Sequence, residues 1–209
     1  CLAAVSYKYG CFPLPPAAMT TRIPTPFSYL SAARAYAQGD DDGERQWLLP
    51  LAEAGDAAAQ CRLALLATAA RDYAAAQAWF ERAAAQGHSE AQFFLGLIYI
   101  DGQGVPRDYV QARGWFERAA AQGEARAQSY LGWLYDNGYG VRRDFATARL
   151  WLERAAAQGD ADAQFNLGSF YRYGKSVAQD IATARLWYER AAAQGDSDAR
   201  QALRELGRG

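Results

Sequence analysis

Few residues in this chain have the chemistry of a reactive site. The single histidine, His88, follows Gly87 with no nucleophile or carboxylate motif beside it. A catalytic imidazole needs such a partner, so His88 is expected at a helix start on the surface. The three cysteines, Cys1, Cys11 and Cys61, fit no metal or redox spacing. Cys61 lies in a helical apolar pattern and is expected to be a small buried thiol; a Cys1–Cys11 disulfide has no independent support. The tripeptide GKS at 174–176 resembles the end of a phosphate-binding loop. That loop needs G-x-x-x-x-G-K-S between a strand and a helix. Here Gly168 stands six residues before Gly174, one too many, and a helix precedes the turn. Glu81 and Arg82 form an acid–base pair in type only, because the pair repeats at Glu117, Glu153 and Glu189. Active sites are few and singular, so a ladder of Glu and Arg between stacked helices is the better expectation. No catalytic residue, cofactor or metal ligand set emerges.

The repetition itself organises the chain. ERAAAQG begins at Glu81, Glu117, Glu153 and Glu189, each copy 36 residues after the last. Aligned on it, the chain divides into a proline-rich tail or linker (1–26), a divergent helical repeat (27–58), four tandem units and a C-terminal capping helix (199–209). The units are 59–90, which is four residues short in its middle loop, then 91–126, 127–162 and 163–198. Arg204 stands where Gly96, Gly132 and Gly168 stand in the full units. It suits a solvated outer cap, and the array is expected to close there.

Each unit reads as two helices. Ala91, Leu95, Ile98 and Tyr99 make an apolar stripe at helical spacing. Gly102 and Gly104 break it, and Asp108, like Asp72, Asp144 and Asp180, is an N-cap for the second helix. That helix carries Ala112, Trp115, Phe116, Ala119 and Ala120 on one face and stops at Gly123. Asp56, Asp160 and Asp196 are expected to cap the following first helices. Gly96, Gly132 and Gly168 let neighbouring helices approach closely. Trp79, Trp115, Trp151 and Trp187 recur with the unit and are expected in the core. Units of this size cannot bury their aromatic stripes alone, so the fold class is all-α, a solenoid of stacked helix pairs.

Composition supports a packed, non-polyanion-binding chain. Hydrophobic residues make up 51%, and 22 basic against 23 acidic residues leave a formal net charge of −1. No basic field for nucleic acid exists. No stretch approaches the roughly 20 apolar residues needed to cross a bilayer. The chain begins at Cys1. As a mature lipoprotein terminus it would carry a lipid anchor, with the proline-rich stretch as spacer; the alternatives are an incomplete reading frame, or upstream sequence translated ahead of a start at Met19.

The pattern A-x-x-x-LG-x-x-Y-x-x-G-x-GV-x-x-D-x-x-x-A-x-x-W-x-x-x-A-A-x-x-G, read from residues 91–123, resembles the Sel-one-like repeat, a relative of the tetratricopeptide repeat. The resemblance covers 59–198 well and 27–58 weakly. The first unit departs from it with TAARDY in place of the Gly-x-Gly loop, and Ser176 replaces the loop's second glycine in the fourth unit. The resemblance implies a right-handed superhelix of antiparallel helix pairs. It also implies a non-enzymatic adaptor for protein or peptide partners, in the bacterial cytoplasm or in the periplasm and envelope.

In solenoids of that type the first helices line the concave groove. Positions spaced i, i+4, i+7 opposite the core stripe differ between units: Phe93, Leu97 and Ile100; Ser129, Trp133 and Asp136; Phe165, Ser169 and Arg172. These nine residues are the candidate partner-binding trough. Trp, Phe and Arg are the types that supply binding hot spots, and Trp133 stands out because Leu97 and Ser169 fill its place elsewhere. The alternative is that some of them, Phe93 and Leu97 first, pack against the adjacent first helix.

Overall fold

The computed structural model describes the backbone of residues 41–207. The readings placed on the proline-rich segment, Cys1, Cys11, Met19 and residues 27–40 fall outside it. The described residues form ten helices and no strand. They are α1 (Asp41–Glu53), α2 (Ala57–Ala69), α3 (Tyr73–Ala85), α4 (Ser89–Asp101), α5 (Tyr109–Ala121), α6 (Ala125–Asn137), α7 (Phe145–Ala157), α8 (Ala161–Tyr173), α9 (Ile181–Ala193) and α10 (Ser197–Leu206). Consecutive helices pack pairwise through all the described residues, which is the expected α-solenoid.

Local chemistry sets the helix ends. Asp56, Asp72, Asp108, Asp144, Asp160, Asp180 and Asp196 each accept a backbone N–H bond at an N-cap, as at Ala59 (2.7 Å) and Ala163 (2.8 Å). Each is worth about 1 kcal/mol against alanine. His88 does the same work for α4, its Nδ1 accepting from the Ala91 amide at 3.3 Å. Glu124, at the corresponding place before α6, makes no cap bond and instead receives Arg126 Nε at 2.7 Å. At the other end Gly123 has φ +90. Its N–H reaches Ala120 O at 3.0 Å while Glu124 N–H reaches Ala119 O at 3.2 Å; this double closure needs the left-handed residue. In the fourth unit's loop Ser176 adopts that conformation without being glycine, φ 55. Its Oγ donates to Phe145 O at 3.2 Å, which offsets the strain and keeps the loop shape.

The helices of a unit touch through small residues. A Cβ on Gly132 would stand 2.6 Å from Leu152 Cγ, and one on Gly168 2.6 Å from the Tyr188 ring. Phe80, Phe116, Leu152 and Tyr188 are fully buried at these contacts, each contributing roughly 1.5–3 kcal/mol by leaving water. The tryptophans one residue earlier pack against the core but, contrary to expectation, are not enclosed in it. Trp79, Trp115, Trp151 and Trp187 are half-buried. The arginine of the heptapeptide lies on each ring: Arg82, Arg118, Arg154 and Arg190 stand 4.5–4.7 Å from the ring centroids. The period placed them on the flank of the buried stripe, where a large ring keeps one side wet and attracts a cation.

The expected Glu–Arg ladder between repeats is also absent among the described residues. Arg113–Glu117 (3.7 Å) and Arg149–Glu153 pair within one helix. Glutamines form the ladder instead. Gln92, buried, donates to Ala84 O of the preceding second helix at 3.2 Å and accepts from Gln122 of its own at 2.8 Å. Gln128 repeats this with Ala120 O and Gln158, and Gln164 with Ala156 O and Gln194. A buried amide needs both ends satisfied, and the preceding carbonyl and the following glutamine meet that need.

Candidate functional site

The nine variable first-helix residues separate into two groups. Phe93, Leu97, Ser129, Trp133, Asp136 and Ser169 are buried, while Ile100, Phe165 and Arg172 keep part of their surface. Phe93 meets the next first helix, whereas Trp133 is covered by Tyr109 and Tyr139, and Ser169 meets Tyr188 of its own unit's second helix. Phe93 lies 5.7 Å from the Tyr130 ring of the next first helix and 5.8 Å from Phe116, with the Arg126 guanidinium 4.5 Å above it. Ser169 Oγ sits 3.1 Å from the Tyr188 hydroxyl. Both amide atoms of Asn166 are buried without a protein partner. Phe165 rests on Tyr188 at 5.4 Å, and Arg172 reaches Glu205 of α10 at 3.0 Å.

Trp133 is an anchor turned inward. It is 4% exposed and packs with Tyr139 (5.1 Å), Tyr109 (6.3 Å) and Tyr130 (6.3 Å). Tyr139 is the middle residue of the GYG loop and stacks on Tyr109 at 4.9 Å. Lys175 occupies the same loop position in GKS. Its Nζ reaches Asp136 at 3.2 Å and lies 5.6 Å from the Phe145 ring, the counterpart of Tyr109. The loop's middle residue therefore clasps the preceding unit, through an aromatic ring in the third unit and a cation in the fourth. Sequence reading treated GKS only as a failed phosphate loop. The signal it held was the pairing of a lysine at this variable position with an aspartate at another, Asp136.

Among the described residues electrostatics offers no activated group. Burial pushes the Cys61 thiol up to about 12, with Glu90 adding to it, so the thiol is inert. Burial raises Tyr130 as well. Asp160, the cap of α8, is raised to about 6 by burial; Asp162 adds to that, while the Ala163 amide and Arg126 oppose it. No group of three or more His, Cys, Asp and Glu among the described residues is placed to hold a metal ion. No described helix is long and apolar enough to cross a membrane. What the geometry offers is a rigid stack with scattered aromatic, cationic and apolar side chains at its surface.

Comparison with curated protein sequences finds no match. Among solved structures, a protective antigen of uropathogenic Escherichia coli displaying an SLR fold is 38% identical over 74% of this chain and 34% of its own, with TM-score 0.69. A Sel1 repeat protein from Oxalobacter formigenes is 32% identical over 85% of this chain and 54% of its own, with TM-score 0.71. The chain thus spans about a third and about half of the length of these two relatives. The model of the Sel1 repeat matches residues 57–88, 89–124, 125–160 and 161–196, and each match opens on a first helix and closes on the glycine turn. With the glycine-spaced helix contacts, the glutamine ladder and these four matches, the chain belongs to the Sel1 repeat family.

Proposed function

We propose that this protein is a non-enzymatic scaffold that binds a peptide or protein partner along the first-helix side of its stack. Sel1 repeat proteins generally serve as protein-interaction scaffolds and are generally non-enzymatic. The observation that carries the reading is the contrast between constant and variable positions. ERAAAQG is identical in every unit and is used up in helix packing and termination. Ile100, Phe165 and Arg172 stay accessible on first helices, at register positions that are not constant between units. An apolar, an aromatic and a cationic contact on a preformed frame favour an extended segment with mixed side chains. The six buried residues of the trough act as its floor, holding these three in place.

A photo-crosslinking amino acid at Ile100, and separately at Ala182 on α9, tests this in cells of the source organism. A partner captured at Ile100, absent at Ala182 and lost when Arg172→Glu is added supports the reading. Capture of the same partner at Ala182 alone overturns it.

A further inference from the structure

The first inter-helix groove of the array differs from the later ones at the residues that would fill it. Between α1, α2 and α3 lies a cavity of about 250 Å³, walled by Arg45, Leu49, Ala67, Asp72, Ala75 and Trp79 among others. The repeat register gives each position its counterparts. Ala67 stands where later units carry Tyr99, Tyr135 and Tyr171, all half-buried and packed on the core. Leu49 stands where Glu81, Glu117 and Glu153 stand, and Ala75 where Gln111, Thr147 and Thr183 stand. The shortened loop also lacks a counterpart to Val105, which packs on the core in the second unit. Every one of these departures removes bulk or polarity. The groove is left short of one tyrosine, behind an apolar lip at Leu49, which is 40% exposed.

Size and charge both specify the occupant. Pockets for whole small molecules run to about 300–1,000 Å³; this one is smaller and fits a single side chain. Asp72 Oδ1 accepts from the Ala75 amide at 3.1 Å. In the third and fourth units the second carboxylate oxygen accepts from the hydroxyls of Thr147 (2.7 Å) and Thr183 (2.6 Å). Ala75 has no hydroxyl, so Asp72 Oδ2 can accept an O–H from outside. Arg45 supplies a cation for the face of an aromatic ring, and Trp79 a flat apolar wall. We infer that this cavity is a socket for a tyrosine side chain presented by a partner protein, with the ring between Trp79 and Leu49 and the phenol hydroxyl on Asp72. It shares no residue with the first-helix surface described above and stands independently of that reading.

The test uses the full chain labelled with 5-fluorotryptophan, with the Trp79 ¹⁹F resonance assigned through Trp79→Phe. p-Cresol is the probe, and toluene is the same ring without the hydroxyl. p-Cresol is expected to shift Trp79 saturably, with a Kd on the order of millimolar for so small a ligand. Toluene is expected to bind several-fold more weakly. Ala67→Tyr is expected to abolish the shift while leaving the urea midpoint unchanged or higher. Leu49→Glu, at an exposed site that does not threaten folding, is expected to weaken p-cresol several-fold. No saturable Trp79 shift in either the wild type or the chain with its N-terminal aromatics replaced, or equal shifts in wild type and both variants, overturns the socket. Binding that appears only after Tyr7, Tyr9, Phe12, Phe27, Tyr29 and Tyr36 are replaced by Leu identifies the chain's own N-terminal segment as occupant and overturns the partner assignment.

Discussion

Lys175 Nζ lies 3.2 Å from Asp136 Oδ1 and 3.3 Å from Oδ2, joining residues 39 apart in the chain. The side chains retain 13% and 2% of their exposure, so the pair is a buried clasp between the third and fourth units. Removing one partner of a buried ion pair weakens the compensation of the other charge, which costs up to about 3–5 kcal/mol. The two losses are unequal here, because lysine's flexible stem can carry its ammonium to water and the carboxylate of Asp136 cannot follow. Lys175→Met is expected to lower unfolding free energy by about 3 kcal/mol and Asp136→Asn by about half that. The double variant Asp136→Leu/Lys175→Met is expected to recover most of the loss. Urea denaturation of the three variants checks the order.

The Asp160 carboxyl sits at about 6, raised chiefly by burial. Its folded value exceeds its unfolded one, so the folded chain binds more protons between pH 4 and 6. Its contribution to stability is therefore largest below about pH 4 and is lost as pH rises through about 6. Asparagine keeps the N-cap and removes the ionisation. Asp160→Asn is expected to be more stable than wild type at pH 7.5, by about 1–3 kcal/mol, with the difference vanishing near pH 4. A stability gap that does not narrow on acidification would refute the assignment.

Two glycines in helices call for opposite outcomes. Gly114 has nothing within 4 Å of a built Cβ, so Gly114→Ala is expected to gain up to about 1 kcal/mol of helix propensity. At Gly132 the new methyl meets Leu152 at 2.6 Å and Ala148 O at 3.2 Å. Overpacking costs about 1–3 kcal/mol, more than the propensity gain. Ala64 occupies the same place in the first unit, which shows that neighbours can shift, so the net loss for Gly132→Ala is expected near 1 kcal/mol. Thermal melts of both variants, read side by side, separate the signs.

The glutamine ladder predicts an isosteric sensitivity. Gln128 donates to Ala120 O and accepts from Gln158 at 2.9 Å while 5% exposed. Gln128→Glu removes the donor and puts a charge against a carbonyl, so a loss of about 2–3 kcal/mol is expected at neutral pH. Gln158→Ala, at an exposed site, is expected to cost less than about 1 kcal/mol. Hydrogen exchange of the α6 and α7 amides would localise the first effect to that interface.

Much of the scaffold was legible from residue order alone, because it rests on interactions within a few residues of chain. The 36-residue register, the aspartate caps, the glycine stops and the small residues at Gly96, Gly132 and Gly168 all follow from helical period and local hydrogen bonding. His88 at a helix start and Cys61 as a buried thiol follow in the same way. What failed were inferences about how near the next helix comes. Helical period gives the direction in which Trp133, Ser169 or Trp115 points, but not the distance to what it meets. Trp133, expected to face a partner, is covered by Tyr109 and Tyr139, and Trp115, expected within the core, packs on its flank, half-buried under Arg118.

The ladder was missed for a different reason. The glutamines were visibly constant, yet whether an amide bonds along its own helix or across to another depends on the separation of the two axes. Lys175 and Asp136 were each read alone, since a pair 39 residues apart exists only once the units are stacked. The sequence by itself thus determined the repeat, its helices and its caps. Tertiary packing alone decided which variable residues stay at the surface, because burial is a property of the gap between helices and not of either one.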